Sequence, residues 1–167
     1  MSYHRLPITI LLLAALFWKV VPFEKRYVVT RLMAACKRNK GFEIFNNSYV
    51  KKCLQYVLPM KYAKAKEYCQ ARGGMVATFK NKMEQQIAAD FFKGRPDYEH
   101  PLLYIGLDRL DDLKTFKWID NEEPYPEYIE KPIPTNVGVD CTSYDTFDLI
   151  IGPAFCTINL PFFCEVR

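Results

Sequence analysis

The chain closes on "CTINLPFFCEVR", residues 156–167, in which two cysteines frame a short apolar run with the residue types of a strand. Just upstream lies "DLIIGPAFC", residues 148–156, with two isoleucines, a glycine and a proline where a small disulfide-rich domain often keeps polar binding groups. The meaning of both stretches depends on the cysteines. There are six, at wide and uneven spacings, without a CxxC pair, and only His4 and His100 could add imidazole. That pattern argues against zinc and for a disulfide framework built in an oxidising compartment.

A chain of 167 residues holds one sizeable domain and a leader. Half of the residues are hydrophobic and a quarter charged, the profile of a folded globule. The N-terminus reads as an export signal: "MSYHR" is a short basic region, and the apolar "LPITILLLAALFW" follows until Lys19. A cleaved signal peptide is the preferred reading, although no small-x-small cleavage site follows Trp18. An uncleaved type II anchor over Leu6–Phe23 is the alternative, opposed by the basic flank Lys19, Lys25, Arg26 and Arg31. We therefore expect residues 1–35 to be leader and N-terminal segment, and residues 36–167 to be the domain.

Charge is unevenly spread beneath a net balance of +4. Lys19–Arg72 holds 13 basic residues against 3 acidic, whereas Gly73–Arg167 holds 9 against 16. Such polarity suits oriented docking or attraction to anionic surfaces. No nucleic-acid motif accompanies it, so nucleic acid is not expected as a partner.

Periodicity outlines the elements. "CKRNKGFEIFNNSYVKKCLQYVL", residues 36–58, alternates around Asn46–Ser48 and predicts a two-strand hairpin closed by Cys36 and Cys53. "PMKYAKAKEYCQARGG" places Tyr62, Ala65 and Cys69 on one helical face, and "KMEQQIAADFFKG" does the same with Met83, Ile87 and Phe91. Strands are expected at "MVATF", "LLYIGLDRL" and "TFKWID", near Cys141, near Cys156 and at "FFCEV". Between them, "NEEPYPEYIEKPIPTNVGVD", residues 121–140, has no period. An irregular loop of that length in a compact domain is usually functional or disordered.

The ordered set of "YAKAKEYC", "GGMVATFKN", "YIGL" (Tyr104–Leu107), "FKWID" (Phe116–Asp120) and the terminal "CxxxLPFFCEV" resembles the C-type lectin-like domain family, in its long form with six cysteines. The resemblance runs from Cys36 to Arg167. It implies an α+β fold, two helices flanking small antiparallel sheets with a long irregular loop. It also implies the pairs Cys69–Cys164, Cys141–Cys156 and Cys36–Cys53, all structural.

In this family function lies in the long loop and the strand behind it. Sugar-binding members carry Glu-Pro-Asn or Gln-Pro-Asp in the loop and Trp-Asn-Asp shortly before the third core cysteine. Those oxygens serve calcium, which takes about six to eight oxygen ligands, and then sugar hydroxyls. Here the loop offers Glu130-Lys131-Pro132 and Pro134-Thr135-Asn136, and Ile151, Gly152 and Pro153 stand at the Trp-Asn-Asp positions. No side-chain oxygen remains there, so the usual calcium-dependent sugar site is expected to be absent, and neither calcium nor another cofactor is expected. The loop acids Asp120, Glu122, Glu123, Glu127 and Glu130 either make a non-standard calcium site or form a solvated, proline-stiffened surface, the preferred reading.

Tyr125 and Tyr128, with Glu130 and Asn136, are the candidate ligand contacts, since tyrosine gives contact area at small entropic cost; the tyrosines serve equally to pack the loop. Catalysis is not expected. All six cysteines are spoken for, and the mature region holds one histidine, His100, in a proline-bounded loop. Asn46 opens an Asn-Asn-Ser glycosylation sequon at a turn. The sequence thus predicts a secreted recognition module that binds a protein or cell-surface ligand without calcium. Its rival is a carbohydrate-binding lectin with displaced calcium ligands.

Overall fold

Residues 102–108 read apolar on both faces of a strand, and the fold is arranged around that fact. A computed structural model describes residues 23–47, 50–96, 99–124 and 138–167. The chain divides into Met1–Arg31 and Leu32–Arg167, and the larger unit holds the architecture that follows. Its elements begin within helix α1 (Phe23–Arg38) and continue with β1 (Glu43–Asn46), β2 (Lys51–Met60), α2 (Tyr62–Gln70), β3 (Met75–Val76) and α3 (Lys82–Phe92). They close with β4 (Leu102–Asp108), β5 (Lys117–Trp118), β6 (Cys141–Asp145), β7 (Ile150–Ala154) and β8 (Leu160–Val166).

The strands form one connected sheet in the order β1-β2-β8-β4-β6-β7, with β3 added to β8 and β5 to β4. All pairings are antiparallel except β4 with β8, which run parallel through Tyr104 and Phe162. The expected α+β class holds, with one correction of detail: the small antiparallel sheets are a single mixed sheet. A parallel pair buried on both faces needs apolar residues at successive positions, and "LLYIGLD" and "LPFFCEV" supply them. Leu103, Ile105, Leu107 and Phe163 face one cluster, which α3 covers with Ile87, Ala88, Phe91 and Phe92. Tyr104, Phe162 and Cys164 face the other, which α2 covers with Tyr62, Ala65 and Cys69. The helices therefore lie on opposite faces of the sheet.

Both helices are fixed at their starts. Asn81 caps α3 by accepting from the Glu84 amide at 3.0 Å, while the Glu84 carboxylate accepts from the Lys80 amide at 3.1 Å. Lys61 gives α2 no side-chain cap; instead the first amide, Tyr62, donates to the Cys156 carbonyl at 3.1 Å. The Met83 side chain is exposed, so Ile87 and Phe91 carry the buried stripe that periodicity also assigned to Met83.

A second correction concerns α1. It is a third helix where two were expected, and Cys36 lies in its last turn rather than on a hairpin strand. The hairpin is β1–β2 alone, in register from Glu43 opposite Leu54 to Asn46 opposite Lys51. Alternation begins only at Phe42, after a turn in which Gly41 takes a φ of +88°. The disulfides are Cys36–Cys53, Cys69–Cys164 and Cys141–Cys156, the pairs the resemblance implies. Cys69 and Cys164 are 95 positions apart, so their bond removes about 4–5 kcal/mol of unfolded-chain freedom on the chain-entropy account.

Gly106 shows why "YIGL" needs its glycine. A Cβ there would lie 2.5 Å from the Val76 carbonyl oxygen and 2.9 Å from Ile119 Cγ2. The space is closed because Gly106 N–H donates to Ala77 O, and its own carbonyl accepts from Ile119 N–H, both at 2.8 Å. Gly106→Ala is expected to destabilise by about 1–3 kcal/mol through overpacking, read as a lower urea midpoint at unchanged slope.

Candidate functional site

The long loop leaves the sheet after β5 and returns before β6, and the structure defines both of its feet. Residues 125–137 lie outside the described residues, and with them Tyr125, Tyr128, Glu130, Asn136 and Glu127. At the outgoing foot, Trp118 is buried, its amide donates to Glu122 O at 2.9 Å, and Asn121 N–H donates back to Trp118 O at 2.7 Å. That tight turn puts Asn121 at a φ of +65°, a conformation its short amide side chain tolerates.

Asp120 then meets the ammonium of Lys80 and the guanidinium of Arg167, at 2.6 Å from the latter, and Lys80 reaches Glu122 at 2.7 Å. Burial works against the Asp120 charge, but the hydrogen bonds and charges of Lys80 and Arg167 outweigh it and hold the carboxyl below its ordinary range. Two of the five loop acids are thus engaged in ion pairs. Among the described residues, no group of three or more His, Cys, Asp or Glu side chains is placed to hold a metal ion.

At the returning foot, Gly138 turns the chain at a φ of +90° and Val139 is buried. Arg109 clamps Asp140 twice, by Nε to the carboxylate and by its amide to the carbonyl, each at 2.9 Å. The guanidinium also lies 5.2 Å over the Phe116 ring. Cys141 follows, bridged to Cys156.

Behind the loop, β7 forms the edge of the sheet. Ile151 sits opposite Tyr144 and is 1% exposed, so it belongs to the core. Gly152 pairs with Ser143, and a Cβ added to it would meet nothing within 4 Å. Pro153, opposite Thr142, lacks a donor and is tolerated because the strand is an edge. Ile150 is half-buried. None of these side chains brings an oxygen to the loop.

The turn after β7 carries groups that sequence reasoning passed over. The single hydroxyl proton of Tyr104 is shared between the carbonyls of Phe155, at 2.7 Å, and Ile158, at 2.9 Å, drawing that turn onto the sheet. The Phe155 and Ile158 side chains face outward, 52% and 41% exposed, as does Phe147. Phe155 stands beside Gly138, where the loop returns. A phenylalanine just before a bridged cysteine reads as core, and only the fold turns it outward. Asn46 is exposed at the end of β1, and its neighbour Asn47 closes the turn by accepting from Val50 N–H at 2.8 Å.

The family profile described as the lectin C-type domain matches residues 58–166. The chain belongs to the C-type lectin domain family. Among solved structures, this C-type lectin-like domain is similar to the mouse scavenger receptor C-type lectin carbohydrate-recognition domain, at 20% identity over 77% of this chain and 94% of that chain, with a TM-score of 0.61. It is equally similar in fold to a calcium-independent type II antifreeze protein, at 16% identity over 77% of this chain and 92% of that chain, TM-score 0.61. The carbohydrate-recognition domain of cow CD23, solved in the presence of an oligosaccharide, follows at 22% identity, 76% and 93% coverage and a TM-score of 0.57. No curated protein matches the sequence. C-type lectin-like domains are binding modules, and the shared fold spans members with different ligands.

Burial pushes the Tyr104 hydroxyl up to about 12. A tyrosine raised above its unfolded value of about 10 contributes stability that is fully present below that value and lost as pH rises through about 12. Tyr104→Phe is expected to lose about 1–2 kcal/mol, because the two carbonyls lose the one proton they share, and to flatten the alkaline limb of the stability curve. Denaturant melts between neutral and alkaline pH check both.

Proposed function

We propose that this C-type lectin-like domain is an extracellular recognition module that binds a protein or cell-surface ligand without calcium, through the long loop. The observation that carries this reading is β7. Where sugar-binding members present amide and carboxylate oxygens, this chain has Ile151 turned into the core, open space at Gly152 and a proline at 153. Filling several calcium positions with apolar groups removes several of the required oxygens together. Asp120 and Glu122, the loop acids nearest the fold, are held by Lys80 and Arg167 rather than left for a cation.

Tyr125 and Tyr128 then supply contact area, with Glu130 and Asn136 as polar partners, and the two clamped feet reduce the entropy lost when the loop docks. Three disulfides without a free thiol favour an oxidising compartment, in keeping with a secreted product, a leader in residues 1–35 and a glycan on the exposed Asn46. No helix among the described residues is long and apolar enough to cross a membrane.

A ligand that binds only the folded form must raise its stability by mass action. Thermal melts are therefore expected to be the same in millimolar calcium and in chelator, and a glycan array to show no chelator-sensitive binding. A calcium-dependent rise in melting temperature, or glycan binding abolished by chelator, overturns the proposal in favour of a lectin with displaced calcium ligands.

A further inference from the structure

The basic N-terminal half of the domain has a destination that the long loop does not use. A groove of about 530 Å³ runs between the Asn39–Phe42 turn, strand β2 and the C-terminal end of α2, lined by Asn39, Lys40, Phe42, Gln55, Ala71 and Arg72. That volume lies within the range of small-ligand sites, roughly 300–1,000 Å³. We propose that it binds a sulfated saccharide.

The walls are held in place. Cys36–Cys53 ties the end of α1 to β2. Asn39 then closes the turn, its side-chain Nδ2 donating to Ala35 O at 2.9 Å and its backbone carbonyl accepting from Phe42 N–H at 3.2 Å. Gly41 brings the backbone so near β2 that an added Cβ would lie 2.7 Å from Gln55 Nε2. Opposite, the Arg72 guanidinium is stacked 3.4 Å over the Tyr68 ring and donates from Nη1 to Tyr68 O at 3.2 Å. A cation fixed this way loses little freedom when it meets an anion.

The charges point the same way. Lys52, Lys66, Lys80, Arg95, Arg109 and Arg167 all pair with carboxylates. Lys40 and Arg72 have no carboxylate partner among the described residues, no acid lines the groove, and Lys37 and Arg38 are exposed in the adjoining last turn of α1. The negative end of the α2 dipole accounts for a cation at Arg72. It does not account for Lys40 on the facing wall.

Three features select a sugar over other anions. Phe42 offers an apolar wall for the carbon face of a pyranose. The Asn39 and Gln55 amides suit hydroxyls, and the Gln55 carbonyl oxygen is enclosed without a hydrogen-bond partner, a cost that turning it toward a ligand hydroxyl removes. The site is concave, whereas an anionic bilayer presents a broad surface that a convex basic face would meet better.

The test is binding of a size-defined heparin hexasaccharide to the full chain, by calorimetry at physiological salt. Wild type is expected to saturate, with affinity falling as salt rises. Lys40→Ala/Arg72→Ala should weaken binding at least about tenfold, since it removes two charge-assisted contacts. Lys82→Ala/Lys114→Ala, which removes equal charge elsewhere, should stay within about twofold of wild type. Tyr125→Ala/Tyr128→Ala should bind the hexasaccharide as wild type does, which separates this site from the long-loop reading. Equal losses in the two lysine/arginine variants, at unchanged melting temperature, would sink the proposal as diffuse attraction. So would absence of saturation, or Lys40→Ala/Arg72→Ala losing phosphatidylserine-vesicle binding while keeping the hexasaccharide.

Discussion

Strand β8 pairs with three strands at once, and most of the domain follows from that demand. It runs antiparallel to β2 and β3 and parallel to β4. With helices on both faces, almost every side chain of "LPFFCEV" is buried. Phe163 packs against Phe79, Phe91 and Phe92 on one face, while Phe162 meets Tyr68 on the other. Cys164 then bonds Cys69 on the helix that covers its own face. A glutamate in such a strand has to be neutralised where it stands. Glu165 takes Lys52 Nζ at 3.0 Å and the Thr78 amide at 3.1 Å, and Lys52 also reaches Glu84 at 3.1 Å. Buried pairs add little net stability against an apolar core but are costly to break once one partner is removed.

The same network extends outward to the loop. Arg167 touches Glu165, Thr78 and Asp120, and Asp120 meets Lys80, which sits just ahead of α3. The outgoing foot is therefore continuous with the buried charges of the central sheet, while the returning foot rests on Arg109, Asp140 and the Cys141–Cys156 bond. A scaffold that fixes both ends of a connection lets the sequence between them vary without disturbing the fold. That freedom is why ligand chemistry varies within one fold.

Legibility in the sequence followed burial. Tyr62, Ala65, Cys69, Ile87 and Phe91 announced themselves by period and are all core. The parallel β4–β8 pair was not legible, because strands buried on both faces lose the alternation that marks a single buried face. Helix α1 was missed because its residues stand beside a leader-like apolar run and include the β-branched Val28, Val29 and Thr30, poor helix formers. The outward turn of Phe155 and the groove at Lys40 and Arg72 depend on contacts between segments far apart in sequence, which composition cannot register. That Ile151, Gly152 and Pro153 bring no side-chain oxygen was legible, since residue identity alone decides it.

At β7, residues without a side-chain oxygen and the fold are compatible because the three positions carry separate tasks. Ile151 points inward, so an apolar residue there serves the core. Gly152 has no near neighbour for a side chain, so packing did not select it. Pro153 withholds a donor from the one rim of the sheet where β7 would otherwise offer unpaired amides. Such an edge position resists pairing with other chains, and the Cys141–Cys156 bond keeps the strand in register meanwhile. The turn that follows keeps Phe155 and Ile158 exposed beside the polar Thr157 and Asn159, so the segment after β7 presents a mixed surface next to the returning foot of the loop.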